Sequence, residues 1–443
     1  MRRSPTLALL LTGAALLALS ACGKASNTPA SAGYGPNPNL PAPQTSALPT
    51  VKTAKAIGWP AGATPTPAPG LAVARFAEGL NHPRWLYRLP NGDVLVAETN
   101  GPANKPKGFK GWAAKIIMGG AGAGQASPDR IVLLRDADGD GVAETRHAFL
   151  TGLHSPFGMA LIGSDLYVAN TDAVLKFHYI DNETEITTKG VKILDLPAGP
   201  INMHWARNLL AAPDGSKLYV SVGSNSNIGE NGLDTEIRRA SILQMNPDGT
   251  DPKVFASGLR NPNGMAWNPA NGELWTAVNE RDELGNDLVP DYMTSVKPGG
   301  FYGWPYSYYG QHIDARVKTQ RPDLVAKAIV PDYALGPHTA SLGLLFYTGV
   351  LLPEQYRGGV FVGQHGSWNR NPPSGYKVVF IPFVAGKPSG PARDILTGFL
   401  DKDGKARGRP VGVIEDQRGA VLVADDVGGV IWRVTPVKSV GGE

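Results

Sequence analysis

"GLRNPNGMAWNPANGELWTAVNE", residues Gly258 to Glu280, decides the fold. It opens on Gly-Leu and a polar pair, Arg260-Asn261, runs through an apolar stretch to a turn at Asn271-Gly272, and ends in an alternating strand. This is the pattern of a hairpin with a glycine turn. The phrase returns along the chain. "GLNHPRWLYRLPNGDVLVAE" starts at Gly79, "GLHSPFGMALIGSDLYVAN" at Gly152 and "MHWARNLLAAPDGSKLYVSVGS" at Met203. "GPHTASLGLLFYTG" starts at Gly336 and continues to "GGVFVGQHG", and "GRPVGVIEDQRGAVLVADD" starts at Gly408. One such hairpin cannot bury its apolar face alone, whereas radially stacked copies can. Recurrence at roughly 50–80 residues in a strand-rich chain predicts an all-β fold, a six-bladed β-propeller with long inter-strand loops. A large sandwich or β-helix would repeat at shorter and more even intervals.

Composition agrees. The 443 residues include 55 Gly and 38 Pro, which suits short strands and tight turns, and the net charge of +4 comes from scattered basic residues. That scatter argues against a nucleic-acid partner. The chain reads as a signal segment (1–21), a Pro/Ala/Ser-rich flexible tether (22–69), the propeller (70–437) and a short tail (438–443). Arg2-Arg3 precede an apolar run, Leu7 to Leu19, too short for a comfortable membrane span. It ends in Leu19-Ser20-Ala21-Cys22, which resembles the bacterial lipobox and implies acylation of Cys22. Gly23 is not the aspartate of inner-membrane retention, so the expected address is the outer membrane, facing the periplasm. The membrane is then met through the lipid only. Cys22 is the only cysteine, so the exported chain has no disulfide to stabilise it.

In each phrase the polar residues precede the innermost strand, at the mouth of the central channel. His154, His204, Arg260, Asn261, His338, Arg407 and Arg409 are therefore expected on one face, as a cationic site for a polyanionic ligand.

The phrases resemble those of the quinoprotein sugar dehydrogenases that use pyrroloquinoline quinone (PQQ), and most closely the sorbosone and pyranose dehydrogenase branch. The resemblance is carried by "HWARNLLAAPDG", "GLRNPNGMAW", "GGFYGWP" (Gly299 to Pro305), "GQHGSWNRNPPSGYKV" (Gly363 to Val378) and "RGRPVGV" (Arg407 to Val413). It implies that His204 is the general base for a sugar hydroxyl, a role suited to imidazole. It implies that Arg260 and Asn261 lie over the quinone oxygens and the reacting carbon, and that Arg407 and Arg409 grip the PQQ carboxylates as arginine forks do. His154, Asn208, His338 and Arg370 are further implied cofactor contacts. Asn208 stands where the glucose-oxidising relatives carry arginine, and Ser224 where they carry aspartate. A Ca²⁺ ion beside the quinone is implied too, held largely by backbone carbonyls of "NERDELGND" (Asn279 to Asp287), with Asp282 and Glu283 as positional candidates.

A second calcium signal comes from the residues themselves. "DADGDGVAE" sets Asp136, Asp138, Asp140, the Val142 carbonyl and Glu144 at alternate positions, with Gly141 allowing the turn. Trp112, Trp205 and Trp368 are candidates to stack on a sugar. The expected function is PQQ- and calcium-dependent oxidation of an aldose or sugar aldehyde, with electrons passed to a separate cytochrome or quinone. A calcium-dependent sugar lactonase and a non-catalytic carbohydrate-binding propeller are the alternatives.

Overall fold

The computed structural model describes residues 25–44, 50–102, 119–120, 122 and 125–437. The signal segment, Cys22, Trp112 and the tail lie outside the described residues.

Six four-stranded antiparallel blades form a ring. Blade 1 is Pro83–Arg88, Val94–Glu98, Arg130–Arg135 and Thr145–Leu150, and each later blade repeats this order from the centre outward. The innermost strands of blades 2 to 6 are Met159–Ile162, Leu209–Ala211, Asn261–Trp267, Ser341–Phe346 and Pro410–Glu415. The ring closes because Leu71–Ala77, from the start of the domain, forms the outer strand of blade 6 against Val430–Pro436. The six phrases are thus the six inner hairpins. Among the described residues, helix is confined to short turns such as Pro322–Val325.

The second strand of each blade is buried on both faces, because neighbouring blades cover both. In Val94–Glu98, Leu95 and Ala97 join a core cluster with blade 2, while Val94 and Val96 join one with blade 6. In Val421–Asp425, Val421 and Val423 face blade 5, and Leu422 and Ala424 face blade 1. Six such clusters lie at the six blade interfaces. Each buried Val or Leu contributes about 1.5–3 kcal/mol. Near the channel the inner strands approach backbone to backbone. A Cβ on Gly158 would lie 2.1 Å from the Leu209 nitrogen, and one on Gly343 would lie 2.3 Å from the Val411 carbonyl. The glycine of each "GM", "GL" or "GV" pair in the phrases answers that need.

The meander sends the loop before each innermost strand and the loop between second and third strands to the same end. That end is the mouth face. The segment expected as a free tether differs from expectation. Tyr34–Gly35 pair with Leu335 and Ala334 at the edge of blade 4, and Thr66–Pro67 pair with Thr397 and Leu396 at the edge of blade 5. Trp59 packs edge-on against Phe399 and Trp432. Composition shows that this stretch has no core of its own, yet it borrows the propeller's.

Candidate active site

His204 and Arg260 stand at the centre of one half of the mouth. The His204 ring is half-buried, and its Nδ1 lies 2.9 Å from the Ser224 carbonyl and 3.1 Å from the Ser224 hydroxyl. Burial first, then the Arg260 charge, lowers its pKa to about 3. The imidazole is therefore neutral. A Cβ on Gly223 would come within 2.5 Å of the His204 Cβ and 2.3 Å of Asn261 Oδ1, so glycine is what lets the two crowd together.

Arg260 is buried and held at both ends of its fork. It donates to the Glu280 carbonyl (2.6 Å), Asn227 Oδ1 (3.0 Å) and Asp282 Oδ2 (2.7 Å). Asp282 Oδ1 accepts from Asn369 (2.8 Å) and lies 3.7 Å from His338 Nδ1. Burial alone would raise the Asp282 pKa, but Arg260 and His338 hold it well below the usual carboxylate range. His338 also bonds the Gly285 carbonyl through Nε2 (2.9 Å). Beneath them, burial raises Glu280 to about 7 and Asp291 to about 6.

The other half gathers around Asp426. Its Oδ2 lies 2.9 Å from Arg84 Nη1, 2.8 Å from His365 Nε2 and 3.9 Å from His82 Nε2. Burial would raise this carboxyl too, but the three basic neighbours hold it far down. Burial lowers His365 to about 4 and also depresses Arg84 and His82. Arg409 is buried beside them, its guanidinium 5.0 Å from the Tyr376 ring and 3.3 Å from the Ala54 carbonyl. Gly408 allows this, since a Cβ there would strike Asp425 at 2.1 Å. Trp205 joins the halves: it follows His204 in the chain and lies under the Arg84 guanidinium at 5.6 Å.

The structure thus brings together His204, Arg260, Asn261 and His338 on one side and places Arg409 on the other. Arg407 is half-buried, and among the described residues its guanidinium has no hydrogen-bonding partner. Several other expected contacts are already engaged with protein partners. Exposed His154 pairs with Asp172 at 2.8 Å. Asn208 is consumed by its surroundings, donating to the Asn263 carbonyl and accepting from Leu209 N–H, so it braces blades 3 and 4 instead of facing a ligand. Arg370 is turned away into Asp287 and the Thr28 carbonyl. As for the quinone calcium, Glu283 forms a surface pair with Arg316, and both Asp282 oxygens already have partners. Neither fits a metal ligand as placed.

Asp136, Asp138, Asp140 and Glu144 do cluster, with ligand oxygens within 4.8 Å of one another. They occupy the loop between the third and fourth strands of blade 1, on the face opposite the mouth. Exposed Val142 shares that loop. Sequence reading missed Arg84, His82, His365 and Asp426, although "NHPR" and "QHG" carried a signal at the right offsets.

Residues 164–367 match the family model described as glucose/sorbosone dehydrogenase, and residues 310–437 match one described as TrAA12-like. A protein of Borreliella burgdorferi is 28% identical over 366 residues, 78% of this chain and 90% of that one. A pyrroloquinoline quinone-dependent pyranose dehydrogenase of Coprinopsis cinerea is 32% identical over 163 residues, 32% of this chain and 20% of that one. The structure of the PQQ domain of a pyranose dehydrogenase from the same organism superposes with a TM-score of 0.66 at 20% identity, over 84% of this chain and 97% of that one. At that identity the superposition speaks for the fold.

Proposed function

We infer, from a chain whose residues 164–367 match the glucose/sorbosone dehydrogenase family model, that the mouth holds PQQ and oxidises an aldose or sugar aldehyde. The observation that carries this is a neutral, oriented His204 facing a wall of buried arginines. PQQ is a tricarboxylate, and the wall fits it. Among the described residues, the Nε atoms of Arg84, Arg260 and Arg409 are buried without hydrogen-bond partners, and Arg407, half-buried and close to Arg409 in sequence, has only the charge of Asp401 near it. Forked donors of this kind bind carboxylates in charge-assisted pairs.

When bound, PQQ supplies the two-electron acceptor. The chain's own part is to hold and to deprotonate. Arg84, Arg407 and Arg409 grip carboxylates, and Arg260, fixed by Asp282 and Asn227, presents positive charge beside His204. Because the Ser224 carbonyl can only accept, His204 Nδ1 carries the proton and Nε2 presents its lone pair. That atom takes the sugar hydroxyl's proton, as a positioned general base does. Trp205, half-buried beside it, offers a ring face to a sugar. No step is assigned to calcium at the mouth, since Asp282 and Glu283 do not fit it.

The lactonase alternative would need mouth carboxylates free for a metal, and Asp282 and Asp426 are both enclosed by cations. With one cysteine, the chain cannot carry a haem on Cys-x-x-Cys-His, so electrons pass to a separate acceptor. Acylation of Cys22 would place the enzyme on the outer membrane, facing the periplasm. Titration of purified protein with PQQ, followed by sugar, tests the function. A bound-quinone absorbance that sugar bleaches is expected. A protein that leaves the PQQ spectrum unchanged refutes it.

A further inference from the structure

The described chain begins on the mouth face. Ser26 N–H donates to the Asn371 carbonyl at 2.7 Å and its hydroxyl to Asp287 Oδ2 at 2.5 Å, while Arg370 donates to the Thr28 carbonyl at 2.7 Å. Asp287, Arg370 and Asn371 all sit in loops between second and third strands. Four residue steps separate Ser26 from Cys22, a reach of at most ~14 Å at ~3.6 Å per residue. Acyl chains on Cys22 would therefore bring this face close to the bilayer.

The same face carries apolar surface. Loop 201–203 adjoins loop 225–237: Met203 N–H faces Asn225 Oδ1 at 3.4 Å, and Arg207 and Arg239 both donate to Asn202 Oδ1 at 3.0 Å. These loops expose Ile201, Met203, Leu233 and Ile237, the last 70% accessible. Ile57 is exposed on the N-terminal segment, near exposed Lys52 and Lys55, cations suited to anionic headgroups. A lone exposed apolar residue needs no explanation, but five on the face to which the anchor is tied call for one.

We propose that the propeller rests mouth-down on the membrane that holds its lipid, with these apolar side chains in the headgroup region and the redox site facing a membrane-held electron carrier. The proposal rests on acylation of Cys22. Its geometry differs from that of an enzyme standing off on a loose tether, since residues 26–28 are bonded to the propeller.

Cys22 is the chain's only cysteine, so acylated full-length protein with Ile237→Cys or Val350→Cys has one thiol to label. Val350 is 75% accessible in the loop joining the two inner strands of blade 5, on the opposite face. The labelled proteins are reconstituted into phosphatidylethanolamine–phosphatidylglycerol vesicles containing nitroxide lipids. Quenching several-fold stronger at position 237 than at 350 is expected. Equal quenching at the two positions, with acyl mass confirmed on Cys22, overturns the orientation alone. An unacylated Cys22 overturns the anchor and the orientation with it.

Discussion

The Ser224 carbonyl lies 2.9 Å from His204 Nδ1, and that contact sets the tautomer on which the proposed chemistry turns. His204→Asn should reduce turnover by ~10²–10⁴-fold, the usual contribution of a positioned base, with PQQ still bound. Stopped-flow bleaching of the quinone by sugar measures it, and near-normal rates would remove His204 from the reaction.

The pH profile offers a separate check. Because the His204 pKa is lowered to about 3, the base form persists well below the ordinary histidine range. The free enzyme should thus lose no kcat/KM to His204 protonation between neutrality and about pH 5, whereas an unperturbed histidine titrates near 6.5. An acid limb centred near 6.5 that persists in a His365→Gln control would show that the His204 ring is more hydrated than its burial implies.

Arg409→Ala and Arg84→Ala should each weaken PQQ binding by roughly 10- to 150-fold, the range that ~1.5–3 kcal/mol of charge-assisted hydrogen bonding corresponds to. Asn208→Ala should leave affinity alone and lower only stability, because that amide is spent on Asn263 and Leu209. Titration of the apo-protein separates the two classes.

What was legible in the sequence follows from which interactions are local. The blades could be read because each inner hairpin holds its turn and its apolar run in one phrase, and residues just before the inner strand, such as His204 and Arg260, inherit a fixed place at the mouth. The partners that decide their state come from elsewhere. Arg370 looks free in "SWNRNPP" until Asp287, 83 residues away, claims it. Asp426, at the end of the last phrase, meets Arg84 only because the ring closes.

Asp282 and Glu283 differ in the same way, and their substitution should show it. Asp282→Asn breaks a mostly buried pair with Arg260 and should cost about 3–5 kcal/mol. Glu283→Gln loosens a partly exposed pair with Arg316, worth about 0–1 kcal/mol. Denaturant melts with and without calcium test both, and equal, calcium-dependent losses would restore the pair as metal ligands.

The expectation of calcium at Asp136–Glu144 has a thermal test. Four carboxylates within 4.8 Å repel one another unless neutralised, so a bound cation would raise stability by mass action, about 2.7 kcal/mol at a hundred times its Kd. Asp138→Ala should abolish any calcium-dependent rise in Tm without changing sugar specificity. A wild-type Tm indifferent to calcium and chelator would leave the loop an acidic turn.

Trp59 tests whether the N-terminal segment belongs to the working enzyme. Its ring packs edge-on against Phe399 at 5.4 Å and Trp432 at 5.3 Å, and its Nε1–H donates to Asp425 Oδ2 at 2.7 Å. Asp425 in turn accepts the Arg409 backbone N–H at 2.8 Å, so the indole is one bond removed from the proposed carboxylate clamp. Trp59→Ala should cost about 3 kcal/mol, the lower end for loss of a large aromatic side chain from a core, and should weaken PQQ binding as Asp425 loosens. Trp59→Phe keeps a ring but not the donor, so it should recover part of the stability and less of the affinity. If residues 22–69 were only a spacer, both variants would match the parent in melting and in PQQ titration, and a chain begun at Gly70 would too.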